Sequence, residues 1–184
     1  MAITTKMTLI LDALVIVIIL PALFGVQYPL VFSYEVHKFL HILGAIFFLG
    51  NMMVGPVWLL YATLTKDLQI VRFALRLLGI TDVMLSTLGM ILLITNGLCL
   101  ASVYGGIYAV AWIRDSILLL GVMVLLAITV VLHYQERLYG IAKTTTQLSP
   151  QFWRSLWLWS VWGSLVMLPP GVVLYLMVVK QVPW

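Results

Sequence analysis

Two histidines in a strongly apolar chain are the residues whose type and spacing best suit chemistry. His37 and His41 are four positions apart, so their side chains share one face of a helix. The same face continues through Gly44, Ala45, Phe48, Asn51, Met52 and Gly55. A histidine followed by small residues leaves a groove into which a flat ligand or a second helix can pack. Histidine is also a common axial ligand of haem iron.

The groove has two interpretations. In the first, its small residues mediate helix–helix packing, their usual role in membranes, and His41 forms a hydrogen bond across the helix pair. In the second, His41 ligates the iron of haem b and Gly44 makes room for the macrocycle. His37 and Met177 are then candidates for the second axial ligand, and Arg114 for an ion pair with a haem propionate. Zinc is disfavoured, because this H-x-x-x-H pair lacks the glutamate of H-E-x-x-H.

Several other ionisable side chains fall within apolar segments, where charged groups are costly and are functional candidates. Asp115 directly follows Arg114, and Asp82 lies deep in the third apolar segment. We expect Asp82 to be buried and to pair with Arg76 or His133; the alternative is a proton relay or a substrate contact. Because breaking a buried ion pair costs about 3–5 kcal/mol, Asp82→Asn is expected to lower the melting temperature clearly.

The elements that must position these residues are membrane-spanning helices. The chain has 184 residues, of which 64% are hydrophobic and 9% charged, whereas soluble domains have roughly 45–50% and about 25%. A spanning helix needs about 20 apolar residues. Applied along the chain, this spanning length predicts one transmembrane domain, 1–184. Its spans lie at about 7–26, 37–61, 73–98, 107–133 and 153–179, with a loop over 136–151. The predicted fold is an all-α polytopic bundle with a four-helix core and an additional N-terminal helix.

The placement of the basic residues predicts the orientation of the chain. One side of the predicted spans receives Lys6, Lys66, Arg72, Arg76, Arg137, Lys143 and Arg154, and the other receives only Lys38 and Lys180. Loops rich in lysine and arginine face the cytoplasm. The N-terminus is therefore predicted to be cytoplasmic and the C-terminus, at Trp184, to lie outside. This placement accounts for the net charge of +4 without a nucleic-acid partner.

A family resemblance adds to this picture. The stretch 37–44, HKFLHILG, resembles the K-x-L-H-x-L-x-[GS] opening of a family of bacterial integral membrane proteins of unknown function. The resemblance continues through 76–82, the aromatic and basic end of the fourth helix, and 150–154, PQFWR, and covers the chain from about Val36 onwards. It implies a location in the bacterial inner membrane.

More distantly, the helix that carries His41 is similar to one in the HemJ-type protoporphyrinogen oxidases and the CopD-type copper-resistance proteins. The HemJ resemblance implies haem or porphyrin handling, with His41 at the position of that family's histidine. The basic residues of that family's later helices have no clear match here, which leaves open whether the chain is a membrane oxidoreductase.

The predicted function is that of a small b-type haem-binding integral membrane protein with a redox or porphyrin-handling role. Its expected partners are the lipid bilayer and a redox protein or other membrane subunits. The alternative is a non-enzymatic role, as a small transporter or an accessory subunit of a larger membrane complex. A haem protein is coloured, whereas a proton-coupled transporter depends on Asp82.

Overall fold

Five long helices form the molecule. The computed structural model describes residues 3–183, and 83% of the structure is helical, with no strand among these residues. The helices are α1 (Ile3–Leu23), α2 (Tyr34–Leu64), α3 (Leu68–Ser102), α4 (Ala111–Thr144) and α5 (Pro150–Val179), and each is long and apolar enough to cross a membrane. The predicted all-α class with five spanning helices is thus confirmed. Trp184 lies outside the described residues.

The helices extend beyond several of the predicted spans. The largest difference is in α4, which continues to Thr144, so the predicted loop over 136–151 shrinks to 145–149. This end of α4 is amphipathic rather than uniformly apolar, so a prediction from the length of apolar runs ends this span too early. Leu138 and Ala142 are fully or almost fully buried on one face, and Glu136 on the same stretch accepts a hydrogen bond from the Thr5 hydroxyl of α1.

Helices α2 and α3 form the most extensive contact, which centres on two glycines. A Cβ atom on Gly44 would lie 2.5 Å from the backbone nitrogen of Leu93 and 2.7 Å from the carbonyl oxygen of Gly89. A Cβ on Gly89 would in turn lie 2.8 Å from the backbone nitrogen of Phe48. Backbone atoms cannot move aside as a side chain can, so both positions require glycine. Gly44 therefore serves the α2–α3 contact, and its predicted role beside a macrocycle does not match this position.

The remaining two helices pair in two sections, because α5 is interrupted. Its first section, Pro150–Val166, packs on the far end of α4, and its second section, Leu168–Val179, packs on the start of α4. The interruption precedes Pro169 and Pro170, which lack the backbone N–H that a continuous helix requires.

Wider π-helical turns replace α-helical turns at one place in each of α3 and α4. They comprise Asp82–Thr87 and Ala127–Val131. In the first, the Thr87 hydroxyl donates a 3.0 Å hydrogen bond to the backbone carbonyl of Asp82, five residues earlier. Such turns occur frequently at functional sites, and here both line the same small cavity.

Candidate functional site

A large cavity lies between the α2–α3 pair and the α4–α5 pair, in the half of the bundle where α2 and α4 begin. It encloses about 610 Å³ and is mostly apolar; we call it the His41 cavity. Its size is within the range of about 300–1,000 Å³ typical of small-molecule sites. The side chains considered below are His41, Phe48, Tyr104, Trp112 and Met177, and the basic residues Lys38 and Lys180.

The imidazole of His41 is held in one orientation. Its Nδ1 lies 2.7 Å from the carbonyl oxygen of Leu93 on α3, and because a carbonyl can only accept, Nδ1 carries the proton. In the neutral ring, Nε2 then has a free lone pair, and the structure gives it no hydrogen-bond partner within residues 3–183. Gly97 makes this arrangement sterically feasible, since a Cβ there would lie 2.9 Å from Cε1 of His41.

His37, one turn earlier, has a different environment. It is 3% exposed, and its Nε2 accepts hydrogen bonds from the backbone N–H groups of Val31 (3.1 Å) and Phe32 (3.2 Å). Its Nδ1 therefore carries the proton and donates to Oδ1 of Asn96 at 2.8 Å. Both ring nitrogens are engaged. His37, predicted as a possible second axial ligand, instead fastens the loop before α2 to α3.

The structure places the other two predicted haem contacts, Met177 and Arg114, differently with respect to the His41 cavity. Met177 lines the His41 cavity from α5. Arg114 is not among the lining residues: its side chain is 47% exposed, and its Nε donates to Oδ1 of Asp115 at 2.7 Å. Arg114 therefore lies away from the His41 cavity in this structure, and its ion pair with a propionate stays a prediction. Lys38 and Lys180 supply the positive charge of the cavity instead.

A second, smaller cavity of about 160 Å³ lies in the other half of the bundle, and residues from all five helices line it; we call it the Asp82 cavity. Asp82 accepts two hydrogen bonds there, from Nδ2 of Asn51 to Oδ1 (3.1 Å) and from Nε2 of Gln135 to Oδ2 (2.7 Å). Trp159 of α5 completes the chain, with Nε1 donating to Oε1 of Gln135 at 3.4 Å. Asp12, 7% exposed, faces the same cavity from α1.

These contacts correct the predicted partners of Asp82. Arg76 and His133 are both exposed, neither lines the Asp82 cavity, and the ring of His133 packs edge-on against Tyr134. The prediction considered only charged and histidine partners. The partners are two neutral amides. The sequence offered one signal for them, which is that Gln135 is an amide close to the apolar part of α4.

The arrangement separates two kinds of chemistry. The His41 cavity offers one nitrogen lone pair within an apolar enclosure that has two lysines at helix ends, which suits a large, mostly apolar molecule with anionic groups. The Asp82 cavity offers oxygen atoms and little space. No group of three or more His, Cys, Asp or Glu side chains arranged for a metal ion occurs within residues 3–183.

Comparison with known proteins gives one match. Residues 35–181, which comprise α2 from its second residue and the whole of α3, α4 and α5, match the family described as "Predicted integral membrane protein (DUF2269)". No curated protein and no solved structure gave a significant match.

Proposed function

We propose that this chain, which belongs to the DUF2269 family of integral membrane proteins, binds haem b in the His41 cavity and serves a redox role in the membrane. The observation that carries the proposal is the state of the His41 ring. A histidine that ligates a metal almost always donates its other ring N–H to a carboxylate, a backbone carbonyl or water. His41 has this arrangement, with Nδ1 on the Leu93 carbonyl and Nε2 without a partner among residues 3–183.

The other residues of the cavity also suit this group. The apolar lining, which includes Phe48 and the edge-on pair Tyr104 and Trp112, suits a hydrophobic macrocycle. Lys38 and Lys180 lie at helix ends, where carboxylates of a bound group would remain near water and would form charge-assisted hydrogen bonds.

Bound haem would supply reversible one-electron transfer at its iron. The chain's own contribution is to present Nε2 of His41, and the hydrogen bond to Leu93 raises the basicity of that nitrogen. Met177 is the candidate for the second axial position because it lines the same cavity and carries a thioether, a known axial ligand.

The experiment is an absorbance spectrum of the protein, expressed with a haem precursor and purified in detergent. The wild type is expected to show a Soret band and redox-dependent visible bands. His41→Ala removes the nitrogen ligand and is expected to abolish the Soret band, and added imidazole is expected to restore part of it. Met177→Leu is expected to keep the band but shift it, because one axial ligand is lost.

His133→Ala is the matched control, since His133 is exposed and lies outside both cavities. It is expected to leave the spectrum unchanged. A wild type without a Soret band would refute the haem proposal, and a band unaltered in His41→Ala would refute the assignment of the ligand.

A small transporter is the second candidate function, and the observation in its favour is the Asp82 cavity. Acidic side chains inside membrane proteins often mark ion or proton pathways. The bias of basic residues toward the end of the bundle near this cavity supports a cytoplasmic location for that end.

A further inference from the structure

The Asp82 cavity contains negative charge that no basic side chain compensates. Asp12 and Asp82 both line it. No lysine, arginine or histidine is among the residues that line the cavity. Within residues 3–183, neither carboxylate forms an ion pair. Buried charges in proteins are normally paired or bind a metal, so a cation that entered this cavity would be held by carboxylate charge that no basic side chain neutralises.

Asn51 supplies an independent sign of a missing ligand. Its side chain is 4% exposed and faces the cavity. Both hydrogens of the amide are used, by Oδ1 of Asp82 at 3.1 Å and by the Ser86 hydroxyl at 2.8 Å. The orientation of the amide is therefore fixed, since the reverse orientation would place its oxygen against the Asp82 carboxylate. Its Oδ1 is buried and has no hydrogen-bond partner within residues 3–183.

The neighbouring groups add oxygen donors of the same kind. Each oxygen of Asp82 accepts only one hydrogen bond in the structure and so keeps a lone pair. The hydroxyls of Thr8 and Ser86 also line the cavity, as does the Asp12 carboxylate. Anionic and neutral oxygens together suit a hard cation. A volume of about 160 Å³ also leaves space for a small ion with some of its water, since one water needs roughly 10–15 Å³ of such volume.

We propose that the Asp82 cavity is a sodium-ion site, in which the ligands come from the carboxylates of Asp12 and Asp82, Oδ1 of Asn51 and the Ser86 hydroxyl. A monovalent ion fits better than a divalent one. Calcium takes about six to eight oxygen ligands, more than the four groups named here, and magnesium gives up its water reluctantly. The site shares only Phe48 with the His41 cavity, so it does not depend on haem binding.

Thermal unfolding of the detergent-purified protein tests the site directly. Melting temperatures are compared in sodium, potassium and choline chloride at equal ionic strength and pH. A ligand that binds only the folded state stabilises it, so sodium at about 100 times its Kd is expected to raise the melting temperature of the wild type by about 5 °C or more. Asp82→Asn and Asp12→Asn are expected to lose this rise, because each removes an anionic ligand.

Glu35→Gln is the matched control, because Glu35 is an exposed carboxylate at the start of α2, outside both cavities. It is expected to keep the sodium effect. Equilibrium binding of radioactive sodium to the wild type provides a second measurement that does not depend on the folding of any variant. Absence of saturable sodium binding, a melting temperature that responds to pH but not to sodium, or a sodium effect that survives in Asp82→Asn would each overturn the proposal.

Discussion

The two cavities differ in how the helices enclose them. The His41 cavity is the gap between two helix pairs, with about 610 Å³ of mostly apolar space. The Asp82 cavity has about 160 Å³ and is the point where all five helices converge on a network of amides, carboxylates and a hydroxyl. The first has a volume in the range of small-molecule sites. The second can take only an ion or a few waters, and any change in it reaches every helix.

The comparison also shows that one side chain lies between the two cavities. Phe48 lines both cavities and is 5% exposed, so its ring forms part of the wall between them. It stands one helical turn from Asn51 on the polar side and about two turns from His41 on the apolar side. The independence of the two sites therefore rests in part on this side chain.

Phe48→Ala tests that independence and is expected to have the largest effect. Removing a buried phenyl group typically costs about 3–5 kcal/mol, because the cavity left behind is not refilled. The change is expected to join the two cavities and to lower the melting temperature in detergent strongly. Phe47→Ala is the control, since Phe47 is adjacent in sequence but 38% exposed. Equal melting of the two variants would show that Phe48 is not a packed wall.

A comparison of the two histidines is expected to give an intermediate effect. His37→Ala leaves the N–H groups of Val31 and Phe32 and the Asn96 amide oxygen without their partner, and each unsatisfied buried group costs about 1–3 kcal/mol. His41→Ala removes a single hydrogen bond, worth about 0.5–1.5 kcal/mol. In thermal unfolding of the haem-free protein, His37→Ala is therefore expected to have a lower melting temperature than His41→Ala. The reverse order would mean that His41 is the structural histidine.

Trp159→Phe is expected to have the smallest effect. The indole donates one long hydrogen bond, at 3.4 Å, to Gln135, whereas its packing surface is largely kept by phenylalanine. A loss of about 0.5–1 kcal/mol is expected, measured as a small shift of the melting temperature. A much larger loss would show that the amide of Gln135 depends on this indole for its position beside Asp82.

The helices could be predicted from the sequence, whereas their pairing could not. Apolar runs of spanning length identify the helices without any knowledge of neighbours. Gly44 shows the limit: its small size indicated a close approach, but the structure was needed to show that Gly89 and Leu93, rather than a ligand, approach it. Small residues serve both purposes, so composition alone does not separate them.

The candidate sites were predicted in the same partial way. His41 was identified from its residue type and its helix, and the structure adds the Leu93 carbonyl and Gly97, which act from 52 residues or more away in sequence. For Arg114, the structure adds an ion pair with the adjacent Asp115. The partners of Asp82 were missed because a single sequence does not show that Asn51 on α2 and Gln135 on α4 lie within hydrogen-bond distance of Asp82 on α3.

The π-helical turn in α3 ties both cavities to the number of residues in one helix. An α-helix turns about 100° per residue, and a π turn contains one more residue than the α turn it replaces. The part of α3 up to Asp82 and the part after the turn, which carries Leu93 and Gly97, are therefore rotated relative to each other. An uninterrupted α-helix of the same sequence would present different faces of these two parts to α2. Removing one residue within Asp82–Thr87 would restore a regular helix. Either Asp82 would then turn away from Asn51, or the Leu93 carbonyl would turn away from His41. For α3, chain length at this turn is thus as restrictive as residue identity.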